Sequence, residues 1–192
     1  MRMFVGIYPP LEVVEAVEDF LEPRRDAQPL RWSRPEAFHV TLAFCPQVPE
    51  HALDDLGERL TEVGARHTPF TLVLRGGGTF PDPDHAKLLY AAVDLDATAA
   101  SALPSLAQGA RHAAVASGLE VAGGPYRPHL TLARSGRPFS AMRWLRVLEA
   151  FSSPTWRVEE FHLVQSHLGE GTGRRSRYEI IESYPLGEGE TR

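Results

Sequence analysis

One pattern occurs twice and restricts the fold more than any other feature: "FHVTLAF" at 38–44 and "PHLTLAR" at 128–134. Each places polar residues at alternate positions inside an apolar run, as in a strand with one dry face and one open face. On regular strands His39, Thr41 and Ala43 share one side, and Phe38, Val40, Leu42 and Phe44 the other. In the second copy His129, Thr131 and Ala133 are separated from Leu130 and Leu132 in the same way. Composition alone yields His-x-Thr-Leu ~0.05 times per chain, and two copies on the order of once in a thousand. The pair therefore implies a duplicated unit.

The flanking segments alternate accordingly. "MRMFVGIY" reads as a strand, followed by helical spacing at Val13, Val14, Val17, Phe20 and Leu21. A second helix is predicted from Leu53, Leu56, Leu60 and Val63, and a third around Pro104, which is expected to start or kink it. "FTLVLRGGGTF" and "KLLYAAVDLD" read as two strands joined by the turn "PDPDH", with Gly76, Gly77 and Gly78 forming a bulge or rim. A helix and further strands come after the second motif. Short hairpins between strands favour an α+β fold over a doubly wound parallel sheet. The expectation is one domain over 1–184, built of two pseudo-symmetric lobes. Their antiparallel sheets line a central groove, helices lie outside, and 185–192 form a flexible tail.

Composition excludes several functions. A net charge of −5 argues against coating long nucleic acid, though it leaves room for one phosphate in a locally basic pocket. The single cysteine, Cys45, rules out an internal disulfide and a Cys-rich zinc cluster. No apolar run approaches the ~20 residues of a membrane span. The start lacks the apolar stretch of a signal peptide, so the cytoplasm is the expected location. All basic residues but Lys87 are arginine, as a GC-rich, bacterial coding sequence would produce. No pattern calls for a cofactor or a metal, and a monomer is expected.

Side by side, the two strands would line a groove with two imidazoles and two hydroxyls. An imidazole pair suits a reaction needing one base and one acid near neutral pH. Hydroxyls of Thr41 and Thr131 suit an oxyanion with several acceptor oxygens, such as a phosphate. The combination resembles the set for cyclic-phosphate hydrolysis, in which one histidine activates water and the other protonates the departing ribose oxygen. Two other uses stay open: a metal-dependent hydrolase ligated by His39 and His129, and an RNA-end or nucleotide-binding module without turnover.

Arg127 and Arg134 flank the second motif and either bind a phosphate or lie solvated at the lobe surface. Strand alternation points Arg134 away from Thr131, so a phosphate role needs a bend at the strand end, and Arg127 is in the same position. Arg174, Arg175 and Arg177 lie in a Gly-flanked run that reads either as a solvated turn or as a clamp for RNA phosphates. Trp32 and Tyr126 precede the motif histidines and would either stack on a base or pack in the core. "RGGGTF" lacks the Lys-Ser/Thr of a phosphate-cradling loop. The remaining histidines, including His162 and His167, have no partner pattern and read as structural or surface residues.

These blocks together resemble the two-histidine (2H) phosphoesterases, specifically the bacterial RNA 2',3'-cyclic phosphodiesterases, also called 2'-5' RNA ligases. The likeness spans "RMFVGIYPP", "RWSRPEAFHVTLAF", "GGGTF", "YRPHLTLAR" and the closing "FHLVQSHL" and "RYEII". It implies that His39 is the proton donor and His129 the acceptor, with Thr41 and Thr131 beside them. It also implies RNA ends or small cyclic nucleotides as substrates, opening of the ring toward a 2'-phosphate, and 2'-5' ligation as the reverse chemistry. One departure is visible: relatives continue the first motif with a Phe-Leu-Gly turn, where this chain has "FCPQV".

Overall fold

The computed structural model describes residues 1–95, 99–171 and 175–187. The first half runs β1 (Met3–Ile7), α1 (Leu11–Leu21), β2 (Arg31–Trp32), β3 (Val40–Cys45), α2 (Leu53–Ala65) and β4 (Phe70–Phe80). The second runs β5 (Ala86–Asp94), α3 (Ala99–Ala116), β6 (His129–Phe139), α4 (Met142–Leu148), β7 (Trp156–Val158), β8 (Glu160–Gly171) and β9 (Arg175–Pro185). The fold is α+β, as the alternation and short hairpins imply.

Both lobes belong to one curled antiparallel sheet, ordered β7-β4-β5-β6-β3-β1-β8-β9, with β2 added beside β6. A pseudo-two-fold passes between β3 and β6, which meet at the pair Val40 and Leu130. It relates β1-α1-β3-α2-β4 to β5-α3-β6-α4-β8. The last strand of each repeat crosses over: β4 pairs with β5, and β8 pairs with β1. This exchange ties the lobes together and explains why no linker divides them.

Helices cover the convex face because their apolar residues recur every three to four positions. Val13, Val17 and Leu21 of α1 are buried, as are Leu56, Leu60 and Val63 of α2. In α3 the buried stripe is Leu103, Leu106, Ala107, Ala110 and Ala114. Its small residues let the helix lie close to both β3 and α2. Pro104 sits inside α3, which runs on past it. The predicted bulge lies at the register shift between Leu74 and Gly77, where Gly76 takes a φ of +70°.

Residues 185–187 of the expected tail are held in the fold. Pro185 completes β9, Leu186 is buried, and the Leu186 and Gly187 amides donate to the carbonyls of Glu159 and Gly64. These two bonds fasten the segment to α2 and to the start of β8. Residues 188–192 lie outside the described residues. No described helix is long and apolar enough to cross a membrane.

Candidate active site

Each motif strand carries one extra residue directly after its threonine. In β3, Thr41 pairs with Gly6 but Ala43 pairs with the adjacent Val5, so Leu42 has no partner across β1. In β6, Thr131 pairs with Tyr90 but Ala133 pairs with Leu89, and Leu132 is the extra residue. A bulge of this kind reverses the side on which every later residue points. The alternation read from sequence therefore holds through the threonines and inverts beyond them. Ala43 and Ala133 turn into the core, at 2% and 0% exposure. Phe44 and Arg134 turn onto the concave face with the histidines and threonines. This corrects two expectations, that Phe44 is a core residue and that Arg134 points away.

The histidines are set by identical devices. Nδ1 of His39 donates to the Ala37 carbonyl at 2.7 Å, and Nδ1 of His129 donates to the Arg127 carbonyl at 2.7 Å. A carbonyl can only accept, so Nδ1 carries the proton and Nε2 is left for chemistry. Antiparallel pairing at Val40 and Leu130 sets His39 alongside Thr131 and Thr41 alongside His129. By register, each motif histidine thus stands opposite the threonine of the other motif.

Aromatic rings wall both imidazoles. Phe4 stacks on His39 at 4.4 Å, with Tyr178 edge-on at 5.3 Å and Tyr8 at 6.0 Å. His129 is flanked by Phe80 at 5.0 Å and Tyr90 at 5.1 Å. Two glycines make room for these rings. A methyl group on Gly6 would press on the Phe4 ring, and one on Gly78 would overlap the Tyr90 ring.

This environment sets the charge of the site. Burial drives the His39 pKa from its ordinary 6.5 down to about 4, the Ala37 carbonyl opposing and the charges of His129 and Arg134 assisting. Burial also lowers the His129 pKa, again opposed by its carbonyl partner and assisted by Arg134. Both imidazoles are neutral at pH 7 before an anion arrives. The groove then presents two basic nitrogens, two hydroxyls and the Arg134 guanidinium, a set suited to binding a phosphate and moving protons around it.

Other residues singled out by sequence fall elsewhere. Trp32 pairs with Ala133, so it faces the convex side, where its ring meets Trp144 at 5.0 Å. Tyr126 packs against the core with its hydroxyl buried and without a hydrogen-bond partner. Neither turns its ring to the groove. The side chain of Arg127 is exposed, and the residue's contribution is the carbonyl that orients His129. Arg177 belongs to β9, not to a loop, and pairs with Glu170 and Glu179 at 3.2 Å each. Arg174 and the side chain of Arg175 lie outside the described residues. His162 is buried beside the groove, its Nδ1 2.8 Å from the Ser183 hydroxyl and its ring edge-on to Tyr8. Tyr8, Tyr90, Tyr178 and Phe80 carry no signal in the sequence, because only the curl of the sheet brings their strands to the motifs.

Comparison with known proteins gives the family. Residues 9–170 match the model of the 2'-5' RNA ligase superfamily. An RNA 2',3'-cyclic phosphodiesterase of Thermus thermophilus is 31% identical, over 97% of this chain and 90% of its own length. One from Geobacillus stearothermophilus is 29% identical over 95% of this chain, which spans 56% of that relative. The crystal structure of TT0787 of Thermus thermophilus superposes with a TM-score of 0.78 at 26% identity, covering 98% of this chain and 100% of that one. With two His-x-Thr strands meeting in one groove and the match extending over most of its length, the chain belongs to the 2'-5' RNA ligase superfamily.

Proposed function

We propose that the groove hydrolyses RNA 2',3'-cyclic phosphate ends to 2'-phosphomonoesters, using His39 and His129 as an acid–base pair without a metal ion. The observation that carries this reading is the matched presentation of the two imidazoles, each fixed through Nδ1, on strands that pair at Val40 and Leu130. The names of the relatives support the substrate class.

In this reaction Nε2 of His129 accepts a proton from water as the water oxygen attacks phosphorus. The P–O3' bond breaks, and the proton on Nε2 of His39 passes to O3'. Which histidine is the donor rests on the resemblance, since the site itself is nearly symmetric. Thr41 and Thr131 donate to the non-bridging oxygens, and the Arg134 fork balances their charge. The depressed pKa of His39 has a consequence: the proton it must give is acquired with the substrate. An anion beside an imidazole favours its protonated form, so binding the phosphate loads the acid. A 5'-hydroxyl in place of water would give the 2'-5' bond after which the superfamily is named.

The test is to incubate the protein with an oligonucleotide ending in a 2',3'-cyclic phosphate, in excess EDTA, and compare the product with 2'- and 3'-phosphate standards. A 2'-phosphate is expected. A 3'-phosphate, or activity restored only by added zinc or manganese, would overturn the assignment.

A further inference from the structure

Arg134 has more positive company than one cyclic phosphate requires. Arg31 stands directly opposite it across β2 and β6 and, as its pairing partner, shares the concave face. Like charges opposite each other on a sheet are destabilising, so this placement costs stability. Arg2 lies with its guanidinium 4.4 Å from the centroid of Phe44, the residue that occupies in the first half the place of Arg134 in the second. Desolvation in the groove and the charges of Arg31 and Arg2 lower the Arg134 pKa, opposed by Tyr178. Among the described residues no carboxylate pairs with Arg2, Arg31 or Arg134, whereas Arg25, Arg59 and Arg75 each have one and Arg177 has two.

A cyclic phosphodiester offers one negative charge and two non-bridging oxygens, which Thr41, Thr131 and Arg134 satisfy. Two guanidiniums are left over. We infer that Arg31 and Arg2 form a second phosphate subsite beside the first, which binds the phosphate on the 5' side of the terminal nucleoside. Thr131 to Arg134 spans roughly 7–10 Å of strand at about 3.3 Å per residue, and Arg31 lies a further strand spacing of about 4.8 Å to the side, so it is farther from the reacting phosphate than Arg134 is. The groove is therefore selective for ends carrying two phosphates over a bare cyclic mononucleotide. This inference rests on the phosphodiesterase reading.

The test compares three substrates: adenosine 2',3'-cyclic phosphate, its 5'-phosphorylated form, and the dinucleotide ApA ending in a 2',3'-cyclic phosphate. In the wild type a second phosphate is expected to raise kcat/KM by about tenfold or more, as a charge-assisted contact would. Arg31→Met should bring that ratio close to one, Arg2→Met should reduce it in part, and Arg31→Lys should keep most of it. A gain shared by the 5'-phosphorylated nucleotide assigns the subsite to any 5'-phosphate. A gain seen only with ApA assigns it to the internucleotide diester. A wild-type ratio near one, or a ratio unchanged in both methionine variants, would overturn the inference. Calorimetric binding of ApA 2'-phosphate against adenosine 2'-phosphate, on the same variants, reads the same ratio without turnover. If nothing is hydrolysed but that binding ratio still depends on Arg31, the hydrolysis reading falls and the subsite stands.

Discussion

From histidine to alanine the two motif strands match position by position. Both hold the imidazole by a carbonyl two residues earlier, both place the threonine on the concave face, and both bulge at the following leucine. They diverge at the next groove-facing residue, Phe44 in β3 and Arg134 in β6. The surroundings diverge with them: Phe4 covers the His39 ring face to face, whereas among the described residues the rings at His129 are tilted or edge-on. A duplicated scaffold has thus kept its geometry and split its electrostatics. One half has a drier imidazole, and the other provides the fixed positive charge.

The sharpest way to break this comparison is to remove either imidazole. His39→Ala and His129→Ala should each lower kcat by about 10²–10⁴-fold, the range for a general acid or base. Because the two act in one transition state, the double variant should be scarcely worse than the poorer single one. Losses that multiply fully in single-turnover assays would show that the halves work independently.

Replacing the residues at which the halves differ should give unequal results. Arg134→Met removes a charge-assisted contact worth about 1.5–3 kcal/mol, so kcat/KM should fall by about 10–150-fold. Phe44→Leu leaves the guanidinium of the other half in place and should change kcat/KM by less than about threefold. Equal losses at the two positions would mean that the pseudo-symmetry extends to phosphate binding after all.

This divergence is also where the sequence stops being readable. The strands, the α+β class and the shared face of His39 with Thr41 and of His129 with Thr131 come from period-two alternation, which needs only local information. The bulges at Leu42 and Leu132 have no local signature, because an extra leucine in an apolar run reads as one more core residue. Each bulge inverts the strand beyond it, so alternation alone puts Ala43, Phe44, Ala133 and Arg134 on the wrong side. Trp32 is illegible for a related reason: its side is fixed by pairing with Ala133, which lies beyond a bulge. Tyr8, Tyr178 and Arg31 reach the groove through strand order, which no single segment encodes.

The threonines should behave alike if the halves are equivalent at that level. Thr41→Val and Thr131→Val each keep the β-branched shape and remove one hydroxyl, so each should raise KM or lower kcat/KM by about 2–12-fold, matching 0.5–1.5 kcal/mol. Thermal midpoints should move little. A large drop in midpoint for either variant would make that hydroxyl structural.

The smallest effect concerns pH. The reactive form needs one imidazole protonated and the other neutral, so its population peaks between the two pKa values of the pair. In the free protein burial holds His39 at about 4 and keeps His129 below 6.5. The kcat/KM profile, which reports the free protein, should therefore peak on the acid side of 6.5 and fall as pH rises through neutrality. The kcat profile reports the bound state, where the phosphate anion raises both imidazoles, and its optimum should lie at higher pH. Arg134 depresses both groups, so Arg134→Met should move the kcat/KM optimum upward, whereas an arginine that only held substrate would leave it in place. Direct titration of the ring protons by NMR in the free protein reads the same shift without turnover. A His39 that titrates near 6.5 in both proteins would remove the electrostatic difference between the halves, leaving Phe44 and Arg134 as a difference in binding alone.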